Sequence, residues 1–404
     1  MNKSPLKLPE FVILFALLTS ITALSIDAML PALPQISADL AISDPLDSQL
    51  IISLFIFGMV FGELFIGPVS DAIGRKGAIL LGVGIYVGGT LVAMTASTFE
   101  VLILGRIIQG IGASGPKIAT RALIRDQYEG EAMARIMSFI MVIFIMIPMI
   151  APAFGQLVLA IAEWRYIFFS FLVLSLSTGI WLIVRQPETL LPENRIPLSP
   201  GKLMKSTGRI LKHGKVMCYS VSGGMIFGAL LVYVSTSQSI FEDLYGVVDN
   251  FPLYFAVLAS SVALSSLINS QLVMRFGMHR MVVVALSGLL LFTASLFFFA
   301  LPYNGIPPFA VFMVNGFFIF LWVGILFGNI NAMAMQSLGK MAGLGASVIA
   351  SISSLVAVAV SISAGRLYDG TVMHMVIALS FCGITALILV LVAKRSKAGA
   401  LLPA

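Results

Sequence analysis

A chain of 404 residues with 59% hydrophobic and only 10% charged positions carries more apolar surface than an aqueous fold can bury, since a soluble domain is about 25% charged. Its formal charge of +6 comes from basic residues spread over several short segments, which argues against a nucleic-acid surface. Two cysteines, Cys218 and Cys382, sit far apart in apolar runs and read as core residues, and the three histidines lack metal-ligand spacing.

Apolar runs of about twenty residues, the thickness of a bilayer core, recur along the chain. In order, they predict twelve membrane helices near 11–34, 48–70, 78–97, 100–121, 134–160, 165–185, 216–241, 251–275, 281–301, 306–329, 342–366 and 372–393. The first run is not read as a cleavable signal, because Asp27 and two prolines follow it without a small-residue cleavage site. The stretch 186–215 is rich in Pro, Lys and Arg and divides the chain into a first bundle, 1–185, and a second, 216–404. The expected fold is therefore all-α and membrane-embedded, with two six-helix bundles around a mid-membrane site.

Charge placement predicts the orientation. Lys3, Lys7, Arg75, Lys76, Arg125, Arg135, Arg185, Lys202, Lys205, Arg209, Lys212, Lys215, Arg275, Arg280, Lys340, Lys394, Arg395 and Lys397 fall in the termini or in even-to-odd connections. The opposite connections carry mainly Asp39, Asp44, Asp47, Glu100, Glu163, Glu242, Asp243 and Asp249. Cationic loops stay cytoplasmic, so both termini are expected inside.

After the second run comes GPVSDAIGRKG, Gly67 to Gly77. Gly67 and Gly74 permit close packing and a tight turn, and Asp71 can pair with Arg75 as a latch at the cytoplasmic mouth. This segment resembles the signature between the second and third helices of the major facilitator superfamily. LILGRIIQGIGA, Leu102 to Ala113, is similar to that superfamily's fourth-helix motif, with Arg106, Gln109 and Gly110 in place. PMIAPAFGQ, with Pro148, Pro152 and Gly155, resembles the fifth-helix motif of its antiporter branch.

Within that superfamily, SIDAMLPALPQI (Ser25 to Ile36), EWRYIF (Glu163 to Phe168) and RLYDGT (Arg366 to Thr371) resemble the Bcr/CflA group of drug:proton antiporters. More distantly, they resemble MdfA-type multidrug transporters, which also carry an Asp shortly before a Pro in the first helix. The resemblance implies an inner-membrane exporter of small hydrophobic compounds, working without a cofactor and driven by entering protons. Its partners would be protons, a small-molecule substrate and the lipid bilayer, with no nucleic acid, and the chain would act as a monomer.

Four ionisable residues fall inside predicted spans, and each needs an explanation in a bilayer: Asp27, Glu63, Arg106 and Lys117. Asp27 is the first candidate for the proton-coupling group, the alternative being a permanent structural pair with Arg106. Arg106 supplies a fixed positive charge or hydrogen-bonds backbone carbonyls. Glu63 stands where the family usually has Gln, and is either a second titratable carboxylate or the neutraliser of a nearby cation.

Lys117 follows Arg106 by eleven positions, about three turns, so both would project from one face of the fourth helix. Two cations lining a cavity would favour an anionic or zwitterionic metabolite, such as a siderophore, while a lysine snorkelling to the interface is the plainer reading. The later six helices lack deep acidic residues and read as a substrate wall. There Tyr233, Gln238, Asn329 and Asn331 are the polar candidates, among Met and Phe that suit varied apolar ligands.

GIGASG, Gly110 to Gly115, fits a dinucleotide-binding pattern, yet no strand precedes it inside the apolar run, so helix packing is the better reading. A membrane enzyme would require a clustered nucleophile and base or a metal set, and a sensor would add a soluble domain. The sequence holds neither pattern.

Overall fold

The structure, a computed structural model, describes residues 6–128, 130–336, 338 and 342–395. Lys3, Lys340 and Lys397, used above for orientation, lie outside that range. Two compact units divide the chain, Met1–Ser206 and Thr207–Ala404.

The first unit is built from α1 (Leu8–Asp27), α2 (Leu33–Asp39), α3 (Leu50–Ile73), α4 (Arg75–Met94), α5 (Phe99–Gln127), α6 (Gly130–Ile161) and α7 (Arg165–Arg185). Next comes α8 (Pro200–Lys212), a helix lying inside the stretch read above as a connection. The second unit has α9 (Gly214–Ser239), α10 (Phe251–Phe276), α11 (Met278–Ala300), α12 (Phe309–Met335), α13 (Ala342–Gly365) and α14 (Met373–Arg395). With α2 and α8 set aside, twelve long helices remain, six in each unit. Ten are apolar enough over their described residues to cross a membrane. α5 falls short because Arg106, Lys117, Arg121 and Arg125 interrupt it.

Each unit repeats the same pairings. In the first, α3 and α4 pack on α5, α1 packs on α6, and α4 packs on α7. In the second, α10 and α11 pack on α12, α9 on α13, and α11 on α14. An internal repeat of this kind is what a transporter built by duplication displays.

Close approach within the first unit depends on small residues. A Cβ on Gly110 would collide with the Phe55 carbonyl of α3, and one on Gly112 with the Tyr86 backbone of α4. GIGASG is thus the seam along which three helices meet inside α5.

The first predicted helix, 11–34, is interrupted in the structure. α1 ends at Asp27, a single 3₁₀ turn follows at Leu30–Ala32, and α2 restarts at Leu33. Pro31 and Pro34 cause the break, since neither can donate to a helical ladder. Asp27 therefore stands at the last turn of α1 rather than inside a continuous helix.

A polar cluster closes each end of the first unit. At one end Asp39 accepts from Trp164 Nε1 at 2.9 Å and from Arg165 Nη1 at 3.1 Å, while Arg165 also reaches the Ala96 carbonyl. The EWRYIF motif thus ties α2, α4 and α7 together. At the other end Arg185 grips Glu10 through two bonds of 2.7 and 2.8 Å.

Candidate functional site

Arg106 lies fully buried in α5, and its three donor nitrogens go to neutral partners. Nε bonds the Ile51 carbonyl at 2.9 Å, Nη1 the Gln109 Oε1 at 2.6 Å and Nη2 the Ser25 carbonyl at 2.8 Å. The Phe55 ring covers the guanidinium with its centroid 4.5 Å away. Gln109 passes the chain on to Thr90 Oγ1 at 2.9 Å, and Thr90 donates to the Tyr86 carbonyl. Ser25 gives its own hydrogen to Ile21, so the Tyr86 hydroxyl donates to Ser25 at 2.6 Å. Four helices are bound by this network, and its cation faces carbonyl oxygens and an aromatic ring.

Asp27 stands two residues beyond Ser25 and is buried. No ion pair joins it to Arg106, and among the described residues its carboxylate takes no hydrogen bond. The permanent Asp27–Arg106 pair weighed above is therefore absent, because the Arg106 donors are already committed to Ile51, Gln109 and Ser25. An ionised carboxylate so placed is costly unless a cation or water reaches it.

The segment holding Asp27 is backed by the PMIAPAFGQ motif of α6. Pro148 and Pro152 lie inside that helix. Gly155 fits against the turn so closely that an added Cβ would strike the Ala28 carbonyl and come within 2.9 Å of Pro31 Cγ.

Glu63 and Lys117 meet. Lys117 Nζ lies 2.5 Å from Glu63 Oε1; the carboxylate side chain is 0% exposed and the lysine 24%. Arg121, one turn beyond Lys117 on α5, feels the same carboxylate. Arg106 and Lys117 do share α5, but one is sealed in the core while the other is partly exposed and paired. The carboxylate expected as either a proton site or a neutraliser is thus paired with Lys117 and also feels the charge of Arg121, which was not singled out from the sequence because the predicted span ended there.

The latch residues assemble with two further acids. Arg75 bonds Asp71 and Ser70 through Nη1 and Asp126 through Nε at 2.8 Å. Glu188, just past α7, accepts the Arg75 backbone N–H at 2.8 Å and that of Lys76 at 3.1 Å, capping the start of α4. Gly74 has φ 103° and a Cβ there would run into the Glu188 carboxylate, so the turn admits only glycine. Gly67 lies in the last turns of α3, just before Pro68. Asp126 and Glu188 lie far from the motif in sequence, and only the fold brings them to it.

The candidates of the second unit do not converge. Tyr233 of α9 is buried between Phe255 and Phe320, with ring centroids at 5.8 and 4.5 Å. Gln238 donates to Glu242 at 3.1 Å, where α9 passes into a π-helical turn, Ile240–Leu244. Asn329 is buried and bonds Asn269 Oδ1 at 2.6 Å, whereas Asn331 is exposed on another face of α12. The RLYDGT segment caps α14: Thr371 Oγ1 donates to Asp369 and accepts from the Met373 N–H, and His374 Nδ1 donates to the Thr371 carbonyl at 2.9 Å.

Twelve long helices in two repeated units, with buried charge in the first and the Arg75 cluster at its edge, define a membrane transporter rather than an enzyme. The Major Facilitator Superfamily model matches residues 15–361, and the chain belongs to that family. Among its relatives, the uncharacterized MFS-type transporter YdgK of Bacillus subtilis (strain 168) is 30% identical over 86% of both chains. A bicyclomycin resistance protein homolog of Haemophilus influenzae is 29% identical over 85% of both. The multidrug resistance protein MdtL of Salmonella typhi is 29% identical over 43% of this chain and 45% of its own. These names accord with the Bcr/CflA resemblance. Among solved structures, the human organic anion transporter MFSD10 (TETRAN) aligns over 96% of this chain and 99% of its own, with TM-score 0.72 at 17% identity. The xylose transporter XylE from E. coli aligns over 96% and 98%, with TM-score 0.75 at 12% identity. At such identities the likeness speaks for the fold alone.

Proposed function

We propose that this transporter exports small hydrophobic drugs or related compounds from the cytoplasm in exchange for protons, with Asp27 as the coupling carboxylate. The carrying observation is Asp27 itself: a buried acid without a partner among the described residues, set at a proline-broken helix end beside a buried cation network. Burial favours the protonated carboxyl and access to water or a cation favours the ionised one. A site that alternates between two such settings loads a proton on one side and releases it on the other.

In this reading Arg106 holds the site electrically positive while Gln109, Thr90 and Tyr86 fix its position. Glu63 and Lys117 form a second, self-neutralised station on the same unit. The second unit offers the substrate wall, to which Tyr233, Gln238, Asn329 and Asn331 contribute surface or support. The latch of Gly67, Asp71, Gly74 and Arg75 steadies one end state at the cytoplasmic edge. The chain works as a monomer in a bacterial inner membrane, with both termini cytoplasmic, as the basic loops favour.

A second reading, export of an anionic or zwitterionic metabolite, draws on the cations of α5. Pairing with Glu63 removes Lys117 as an uncompensated charge, so this reading now leans on Arg121.

The test uses purified protein in liposomes with an internal pH dye, given in turn a lipophilic cation, a neutral phenicol and an anionic chelator. The expected result is proton movement driven by the cation or the neutral drug and lost in Asp27→Asn. Proton movement with the chelator alone would replace multidrug export by the anion reading. Undiminished coupling in Asp27→Asn would remove Asp27 from its role.

A further inference from the structure

Between Glu193 and Glu242 the chain holds Arg195, Lys202, Lys205, Arg209, Lys212 and Lys215 and not one acid. Most of these cations lie on α8, a helix that begins at Pro200, with Pro197 before it and Gly214 after it. At 3.6 residues per turn, the register sets Lys205, Arg209 and Lys212 within an arc of about 60°. Leu203, Met204, Ile210 and Leu211 occupy an arc of about 120° centred on the opposite side.

Two observations say what the helix meets. Lys205, Arg209 and Lys212 make no hydrogen bond or ion pair among the described residues, so no described carboxylate answers their charge. On the opposite arc Ile210 is buried, but Met204 is 75% exposed and Leu211 46%. Just upstream, Ile196 and Leu198 are 64% and 50% exposed. A helix with unanswered cations along one side and bare aliphatic side chains along the other matches a lipid headgroup layer, with phosphates above and acyl chains below. An acidic protein partner would satisfy the cations and leave Met204 and Leu211 in water.

We infer that α8 lies in the headgroup region of the membrane and binds anionic phospholipid, Met204 and Leu211 entering the acyl boundary while Lys205, Arg209 and Lys212 hold lipid phosphates. The inference rests on the chain being membrane-embedded and is independent of which compound it carries. Each basic residue near an anionic surface strengthens binding about fivefold, so removing three weakens it about a hundredfold.

The full-length protein carrying a spin label at Met204→Cys, with Cys218→Ala and Cys382→Ala, is placed in nanodiscs of phosphatidylcholine with or without phosphatidylglycerol. With phosphatidylglycerol the label is expected to be open to oxygen and shielded from a water-soluble nickel chelate. In neutral lipid, or with Lys205→Gln, Arg209→Gln and Lys212→Gln together, it moves toward nickel accessibility. Phosphatidylglycerol retained by the detergent-purified protein is expected to fall in the same triple variant, whose elution volume reports that it remains folded. A label equally open to nickel in both lipids overturns the inference, as does one shielded from both reagents, which would mean that protein covers this face. None of these readouts involves transport, so failure of the drug:proton reading leaves them unaffected.

Discussion

The two six-helix units repeat the same helix pairings and bury different chemistry within them. In the first, Asp27, Glu63, Arg75 and Arg106 are all buried, and Arg106 ties four helices together. In the second, the buried polar residues among those described are Ser, Thr, Asn, Gln and His, and one cluster is aromatic, with Phe251, Tyr254, Phe309 and Phe312 around Phe241. A shared scaffold therefore buries acidic and basic side chains in one unit, where an uncompensated charge costs several kcal/mol, and neutral polar, histidine and aromatic side chains in the other. The difference teaches that helix pairing sets the architecture while leaving each half free to bury its own set of charged or neutral side chains.

The comparison breaks first at the proton. Asp27→Asn is expected to abolish substrate-driven proton movement, whereas His374→Gln, which removes the buried titratable group at the start of α14, should leave the coupling ratio unchanged. Paired measurements in the same liposomes decide it. Coupling lost in the histidine variant and kept in Asp27→Asn would move the proton site to the second unit.

Stability sharpens it next. Lys117→Ala takes the paired cation from the buried Glu63 and leaves Arg121 as the nearby positive charge, at a cost of about 3 kcal/mol, visible as a lower melting temperature in detergent. Adding Glu63→Gln should recover most of the loss, because an uncharged amide no longer requires a cation. If the single variant melts like the unaltered protein, then Arg121 alone satisfies Glu63, and the self-neutralised station must be redrawn around that residue.

Packing follows. Gly155→Ala forces a methyl against the Ala28 carbonyl behind Asp27 and should cost about 1–3 kcal/mol along with a loss of transport. The same change at Gly328 of α12, where a Cβ meets nothing within 4 Å, should be neutral or slightly stabilising. Equal melting temperatures for the two variants would show that the turn after Asp27 can yield.

How much of this was legible in the sequence depended on how local the cause was. Helices α10 and α14 fall within two residues of their predicted ends, because apolar runs and flanking charges are read one residue at a time. The break after Asp27 was signalled by Pro31 and Pro34, yet their apolar neighbours disguised it as one run. α8 lay hidden in a segment read as a linker, since its pattern is amphipathic rather than apolar. Among candidate residues, the Asp71–Arg75 pair was visible because only the short glycine turn at Gly74 separates the two groups. Asp126, Glu188, Tyr86 and Asn269 were invisible, because each joins its partner across helices and no spacing announces that.

Of the four contrasts, the smallest is the neutral pair of the second unit. Asn329 Nδ2 reaches Asn269 Oδ1 at 2.6 Å and also donates to the Ile325 carbonyl, so Asn329→Leu strips a bond from α10 and exposes an unsatisfied amide. Polar contacts between membrane helices average about 0.6 kcal/mol in double-mutant cycles, because an amide released in the unfolded state finds another partner. Asn329→Leu is therefore expected to cost about 1 kcal/mol, and Asn269→Leu with Asn329→Leu together about as much as either alone. The corresponding cycle on Glu63 and Lys117 should give a coupling several times larger, since a stranded carboxylate has no neutral substitute at hand. Coupling energies of similar size in the two cycles would mean that the ion pair is wetted well enough to behave as a neutral contact. The electrostatic distinction between the units would then rest on Asp27, Arg75 and Arg106.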